Sequence, residues 1–237
     1  MVQYNEKQKL AISIIDRGEN ICIIGKGGTG KSEICKYIKD IDDKTLFLGP
    51  TGMAALNIGE HARTIHSTMM LGAKSLCAWN WAKISANIEK NRFVLKEFFD
   101  KYKRIVVDEF PMIISGLWDS YVKLFHLIYE TSSDILFNNK QIIMSGDPLQ
   151  LPPIKNTSEP YLDMNYGKNP TQKLGKFDII FHNPDFKKLF SRANNNIIHF
   201  DQNMRCSDLE WNEVLDHCRT GFKYCYCKKK KKKLLKK

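Results

Sequence analysis

The chain contains no run approaching about 18 consecutive apolar residues, so no membrane-spanning helix is expected. Its first ten residues lack the apolar core of a secretory signal. They are also unlike the Arg- and Ser-rich, acid-poor stretch of a transit peptide. Cysteine supplies no framework. Seven is an odd count, and Cys22, Cys35, Cys77 and Cys206 are scattered singly. Cys218, Cys225 and Cys227 cluster without a C-x-x-C pair or a His pair of zinc-site spacing. These features favour a reducing interior over a secreted, cross-linked scaffold. There is no internal repeat and no broad excess of positive charge. Of the net +11, eight charges belong to Lys228–Lys233, Lys236 and Lys237, leaving +3 for everything else. Such a tail is either simply solvated or holds phosphate in a non-specific, salt-sensitive way, so nucleic-acid binding must be argued from other residues.

What is present is enough apolar material for a sizeable core, 43% of residues against 27% charged. Short β-rich runs alternate with helical stretches, which predicts an α/β domain: a parallel sheet with helices on both faces. Asn5–Arg17 reads as a helix with Leu10, Ala11, Ile14 and Ile15 on its apolar stripe. Strands are expected at Asn20–Ile24, Thr45–Leu48, Arg104–Val107, Gln141–Met144 and Asn196–Phe200. A helix over Lys31–Asp40 would bury Ile34, Cys35 and Ile38, and another is expected over Asp208–Arg219. Leu151–Lys176 reads as a long loop. Composition divides the chain into one domain over residues 1–222 and a Lys-rich, low-complexity tail over 223–237. That ending is open to three readings: a tail, a premature end or an altered reading frame.

Gly25-Lys26-Gly27-Gly28-Thr29-Gly30-Lys31-Ser32 satisfies G-x-x-x-x-G-K-[ST] between an expected strand and an expected helix. Glycines let successive N–H groups turn inward around phosphate oxygens, and the helix presents its partly positive end to the same anion. In this P-loop NTPase pattern Lys31 reaches the β- and γ-phosphates and Ser32 ligates Mg²⁺. The strand over Arg104–Val107 delivers Asp108 and Glu109, one to hold Mg²⁺ and one to activate water. Ser145-Gly146-Asp147-Pro148-Leu149-Gln150-Leu151-Pro152-Pro153 makes a rigid turn after the next strand, and the Gln150 amide suits contact with a terminal phosphate. Gly25, Asp108 and Gly146–Asp147 should meet at the carboxyl edge of the sheet. Trp79, Trp81, Phe93, Phe98 and Phe99 fit core packing better than base stacking.

Taken in order, Gly25–Ser32, Gly49-Pro50-Thr51-Gly52-Met53-Ala54-Ala55, Asp108-Glu109 and Gly146–Pro153 resemble the petite-integration-frequency (PIF) family of superfamily-one helicases. Asn5-Glu6-Lys7-Gln8 is similar to that family's upstream glutamine motif, and Gly59–Ser67 to the stretch completing its second motif. The match runs from about Asn5 to Gly221. The resemblance implies the first RecA-like motor domain of an ATP-dependent 5′-to-3′ DNA helicase, using ATP and Mg²⁺ and expected not to unwind alone; the alternative is a non-catalytic remnant of such a helicase that binds ATP and single-stranded DNA. It implies that Gln8 reads adenine and that Thr51, Gly52, Thr64, His66 and Ser67 contact single-stranded DNA. For His66 the surrounding motif is what favours this over a packed histidine. Gln150 would couple the γ-phosphate to the DNA site. Asn203-Met204-Arg205-Cys206 is similar to the family's arginine motif, which implies that Arg205 stabilises charge on the transferring phosphoryl. Cys206 stands where the family usually has Gln. The family also implies a second RecA-like domain closing over the nucleotide, a monomer, no membrane, and work in DNA repair, recombination and telomere maintenance. The location would be intracellular, in nucleus or mitochondrion if the source is eukaryotic.

Overall fold

The computed structural model describes residues 3–70, 81–150, 179–191, 193–204, 208, 210, 212–214 and 216. Six strands form one sheet: β1 Ile21–Gly25, β2 Thr45–Gly49, β3 Arg63–Thr64, β4 Arg104–Asp108, β5 Gln141–Gly146 and β6 Ile197–Phe200. Their order across the sheet is β3-β2-β4-β5-β1-β6, and every pairing is parallel. Five of the six are the strands expected from sequence, each within one or two residues of its expected ends.

A parallel sheet covered on both faces needs apolar side chains up and down each strand. β1 shows the division directly. Ile21 and Ile23 face the layer made by α1 (Glu6–Asp16) and α2 (Lys31–Ile41), where Ala11, Ile14, Ile15, Ile34 and Ile38 are buried. Cys22 faces the opposite layer, with Leu46, Leu48, Ile105, Val107, Ile142 and Met144 from neighbouring strands. That second layer is built from α5 (Trp81–Lys90), α6 (Arg92–Asp100) and α7 (Ser115–Tyr129). Its centre is a cluster of rings: Phe99 and Phe125 lie 4.6 Å apart, and Phe137 lies 5.0 Å from both Phe125 and Trp118. The expectation of helices on both faces holds.

Two details differ from the expected pattern. Leu10 is 51% exposed, and Gln8 takes the buried place on α1 instead. Gln8 is the third residue of the helix and is drawn inward by a capping box with Asn5. Phe93, expected in the core, is 87% exposed. On α6 the buried pair is Leu95 and Phe99, four residues apart, and a side chain two positions before Leu95 points to the other side of the helix. Phe99 is fully buried, and Trp81 and Phe98 pack against the core as expected. Trp79 lies outside the described residues, as do the 151–176 loop, the 223–237 tail and Cys77, Cys206, Cys218, Cys225 and Cys227. Of the Asp208–Arg219 helix, residues 210, 212–214 and 216 are described and helical. Among the described residues no helix is long and apolar enough to cross a membrane.

The short elements after β2 were not visible in sequence. They are α3 (Gly52–Ile58), β3, α4 (Ile65–Thr68) and, later, α8 (Pro184–Leu189). None is long enough to display a helical or strand period. Gly49 marks where α3 turns back onto β2, since a Cβ there would lie 2.6 Å from the Ala55 nitrogen.

Gly146, at the end of β5, is packed against Pro111; a Cβ there would lie 2.4 Å from Pro111 Cδ. Gly52 has nothing within 4 Å of the same position. Gly146→Ala should therefore cost about 1–3 kcal/mol through overpacking. Gly52→Ala, at an open helical position, should be neutral or stabilising by about 0.5 kcal/mol. Urea denaturation of both variants distinguishes them, and equal stabilities would contradict this packing.

Candidate functional site

β1 ends at Gly25, where a side chain would collide with Phe200 O (2.7 Å) and Thr29 Oγ1 (2.8 Å). The loop then turns through Gly28 (φ 81°) and Gly30 (φ 86°), left-handed positions that glycine adopts without strain. Thr29 is buried and its hydroxyl donates to the Lys26 carbonyl at 2.8 Å, closing the loop on itself. α2 begins at Lys31, and the residue before it is a glycine, so no side chain caps the first amides of the helix. Lys31 Nζ donates to Gly25 O at 2.6 Å and Lys26 O at 3.0 Å, which places the ammonium inside the curl of the loop.

Two further strand ends face this loop. β4 pairs with β5 so that Asp108 stands opposite Ser145, and the buried Ser145 hydroxyl donates to Asp108 Oδ1 at 2.6 Å. Glu109 follows in the left-handed region (φ 52°, ψ 34°), a conformation that costs a non-glycine residue of order 1 kcal/mol and clusters at functional sites. After β5, the buried Asp147 organises a tight turn. Its Oδ1 accepts from Leu149 N at 3.0 Å and its carbonyl from Gln150 N at 3.1 Å. The turn delivers Gln150 to Gly27, where its Nε2 lies 3.9 Å from the position a Cβ would take.

The result is one cleft of about 520 Å³ lined by Gly27, Gly28, Gly30, Lys31, Ser32 and Glu33 from the loop and the start of α2, and by Asp108, Glu109, Gln150 and Met204 from later in the chain. The expected meeting of the three strand ends is thus observed. Burial pushes the Glu109 carboxyl above its ordinary range. Asp108 and Asp147 push the same way, while Lys31 opposes them. Ser32 and Asp108 present hard oxygen donors to the same space. That set suits Mg²⁺, which takes one or two protein oxygens and completes its shell with water and phosphate.

Other expected residues are placed less directly. Gln8 does not line the cleft. Its Oε1 accepts from Asn5 N at 2.9 Å, and its Nε2 lies against Gly30, where a Cβ would come within 2.2 Å. Thr51, Gly52, Thr64, His66 and Ser67 gather at the other end of the same sheet edge, after the paired strands β2 and β3. Thr51 Oγ1 caps α3 by accepting from Ala54 N, and Thr64 Oγ1 caps α4 by accepting from Ser67 N, both at 3.1 Å. The Ser67 hydroxyl donates to Thr64 O at 2.8 Å. His66 is half-buried, and that burial lowers its pKa from the ordinary histidine range, favouring the neutral imidazole. Arg205 lies outside the described residues.

Sequence reasoning missed the bond from Ser145 to Asp108, the cleft positions of Glu33 and Met204, and the pairing of Lys26 with Asp216 at 2.6 Å. Ser145 was detectable in principle as the residue ending a strand just before Gly146, but its partner depends on register. Met204 stands within the Asn203–Cys206 run, while Glu33 and the Lys26–Asp216 pair had no signal in the sequence.

A glycine-rich loop between strand and helix, facing carboxylates from the next strands but one, defines a P-loop NTPase domain of the RecA-like type. The PIF1-like helicase family model matches residues 3–166, and the chain belongs to that family. It is 26% identical over 92% of its length to uncharacterized protein 030L of Invertebrate iridescent virus 6, covering 38% of that protein. It is 27% identical over 67% of its length to the human ATP-dependent DNA helicase PIF1, covering 24% of that protein. Among solved structures, a Bacteroides Pif1 helicase in complex with ADP-AlF3 and ssDNA matches with a TM-score of 0.68 at 25% identity. That match covers 93% of this chain and 47% of the other. The chain therefore spans less than half the length of these relatives.

The raised Glu109 pKa has a stability consequence. A carboxyl whose folded pKa exceeds its unfolded value of about 4.3 contributes stability only while protonated, and loses it as pH rises through the folded value. At neutral pH the ionised group is a net cost. Glu109→Gln should raise the thermal midpoint at pH 7–8, and the gain should shrink to nothing as pH falls towards about 4. Melting curves across that range test this, and a gain independent of pH would refute it.

Proposed function

We propose that this chain is the first motor domain of an ATP-dependent 5′-to-3′ DNA helicase, binding ATP·Mg²⁺ and single-stranded DNA. The observation that carries the reading is the single cleft holding Lys31, Ser32, Asp108, Glu109 and Gln150. The 5′-to-3′ direction rests on family membership, as do the nuclear or mitochondrial setting in a eukaryote and a role in DNA repair, recombination and telomere maintenance.

In this reading the amides of Gly27–Gly30 and the start of α2 cup the β- and γ-phosphates. Lys31 exchanges the Gly25 and Lys26 carbonyls for phosphate oxygens. Ser32 and Asp108 hold Mg²⁺, and Ser145 keeps the Asp108 carboxylate turned for that task. The metal, when bound, neutralises charge on the phosphate oxygens. Glu109 takes the proton of a water that attacks the γ-phosphorus as the bond to the bridging oxygen breaks. Its raised pKa brings proton affinity nearer to the working pH. Gln150 touches the γ-phosphate, and Arg205 steadies the charge on the transferring group. Gln8 reads the adenine edge from beneath Gly30.

The DNA contacts fall to the second cluster. Thr51 and Thr64 accept within their helix caps, so each hydroxyl proton remains for a phosphate oxygen, and Gly52 leaves room for a backbone to approach. A neutral His66 offers a hydrogen bond rather than a fixed charge. Such contacts read phosphate and not base, as a sequence-tolerant motor requires. Stepping needs a second lobe that closes on the nucleotide. On that reading residues 1–237 alone act as a monomer, bind ATP weakly and separate no strands.

Purified chain should show ATP hydrolysis stimulated by single-stranded DNA, and Glu109→Gln should lower turnover at least about a hundredfold while a fluorescent ATP analogue still binds. Equal turnover in the two proteins would remove Glu109 from this role. Strand separation by the chain alone would overturn the need for a second lobe.

A further inference from the structure

Lys26 is a cation inside the phosphate-loop motif, yet it does not line the cleft. Its ammonium pairs with the Asp216 carboxylate at 2.6 Å, and the Lys26 side chain is only 22% exposed. This is one of several ties between the loop's surroundings and the chain beyond β6. The Met204 N–H donates to the Gly28 carbonyl at 2.7 Å. Lys7, on α1, pairs with Asp201 at 2.7 Å. The Asn203 side-chain amide donates to Asn212 Oδ1 at 2.6 Å, joining the stretch just after β6 to the helical residues described near Asp216.

The Gly28 contact acts on geometry that matters for an anion. A peptide unit is planar and trans, so a carbonyl and the following N–H point in opposite directions. Holding the Gly28 carbonyl towards Met204 also fixes the Thr29 N–H, turned away from Met204. A donor fixed in this way before the anion arrives loses little freedom on binding.

We propose that the described residues beyond β6, Asp201, Asn203, Met204, Asn212 and Asp216, brace the phosphate loop. Lys26 and Asp216 fasten that brace, which makes Lys26 a positioning residue and not a phosphate ligand. The proposal rests on the nucleotide-binding reading above. It deepens that reading by making the strength of phosphate capture depend on a segment distant in sequence from the loop.

The experiment measures binding of a fluorescent ATP analogue, and its displacement by inorganic tripolyphosphate, in wild type, Lys26→Gln, Asp216→Asn, the double variant and Asp216→Glu. Each single variant should weaken both ligands about threefold, as expected for a half-exposed ion pair, and the double variant no further. Asp216→Glu should restore binding. Thermal melts confirm that each variant is folded, and Asp216→Asn is isosteric at a 45% exposed side chain. If Lys26 were instead a phosphate ligand, Asp216→Asn would leave affinity unchanged or tighten it while Lys26→Gln weakened it, and the proposal would be overturned. Unchanged binding in every variant would also overturn it. Failure of the wild type to bind the analogue would instead sink the nucleotide reading itself.

Discussion

When all strands of a sheet run the same way, each return of the chain must cross a face, and every strand's carboxyl end emerges on one edge. The rest of this molecule follows from that constraint. It puts Gly25, Asp108 and Gly146 at one rim although they are separated by some forty to eighty residues of chain between neighbours in sequence. It also demands that the strands be apolar throughout, which is why β2 and β5 have every residue buried. The two helical layers are then required to cover both faces, and the aromatic cluster around Phe99, Phe125 and Phe137 fills the thicker of them.

The electrostatics of the cleft follow from the same rim. One ammonium, that of Lys31, faces Asp108 and Glu109 with Asp147 near by, a balance that leaves Glu109 reluctant to ionise. A polyanion entering beside these carboxylates would be repelled without a compensating cation. Peptide dipoles at the start of α2 supply part of that compensation, and a hard divalent ion between Ser32 and Asp108 would supply the rest. Glu109 itself sits in a left-handed backbone conformation, so its direction is set by the chain and not by rotamer choice alone.

Much of this was legible in the sequence because it is local. A strand, a glycine loop and a helix are consecutive, and the acidic pair and the Gly146–Pro153 run each follow a strand directly. Helix faces were legible where the period was clean, as for Ile34, Cys35 and Ile38, which are all buried. The fifteen-residue α7 escaped without being short, and most of the rest that escaped depends on distance in sequence or on elements too short to show a period. The Ser145–Asp108 bond exists only because β4 and β5 adopt one register out of several conceivable ones. The caps made by Thr51 and Thr64 belong to helices of seven and four residues. Phe93 escaped for a different reason: hydrophobicity alone does not say which side of α6 faces inward, and Leu95 and Phe99 decide it.

The contact between Gly146 and Pro111 has a mechanical meaning. Gly146 leads straight into the turn that carries Gln150, and Pro111 lies just past Glu109, so the two turns share a wall with no slack between them. Bulk added at Gly146 would therefore press on the wall behind Glu109 as well as on the turn that carries Gln150.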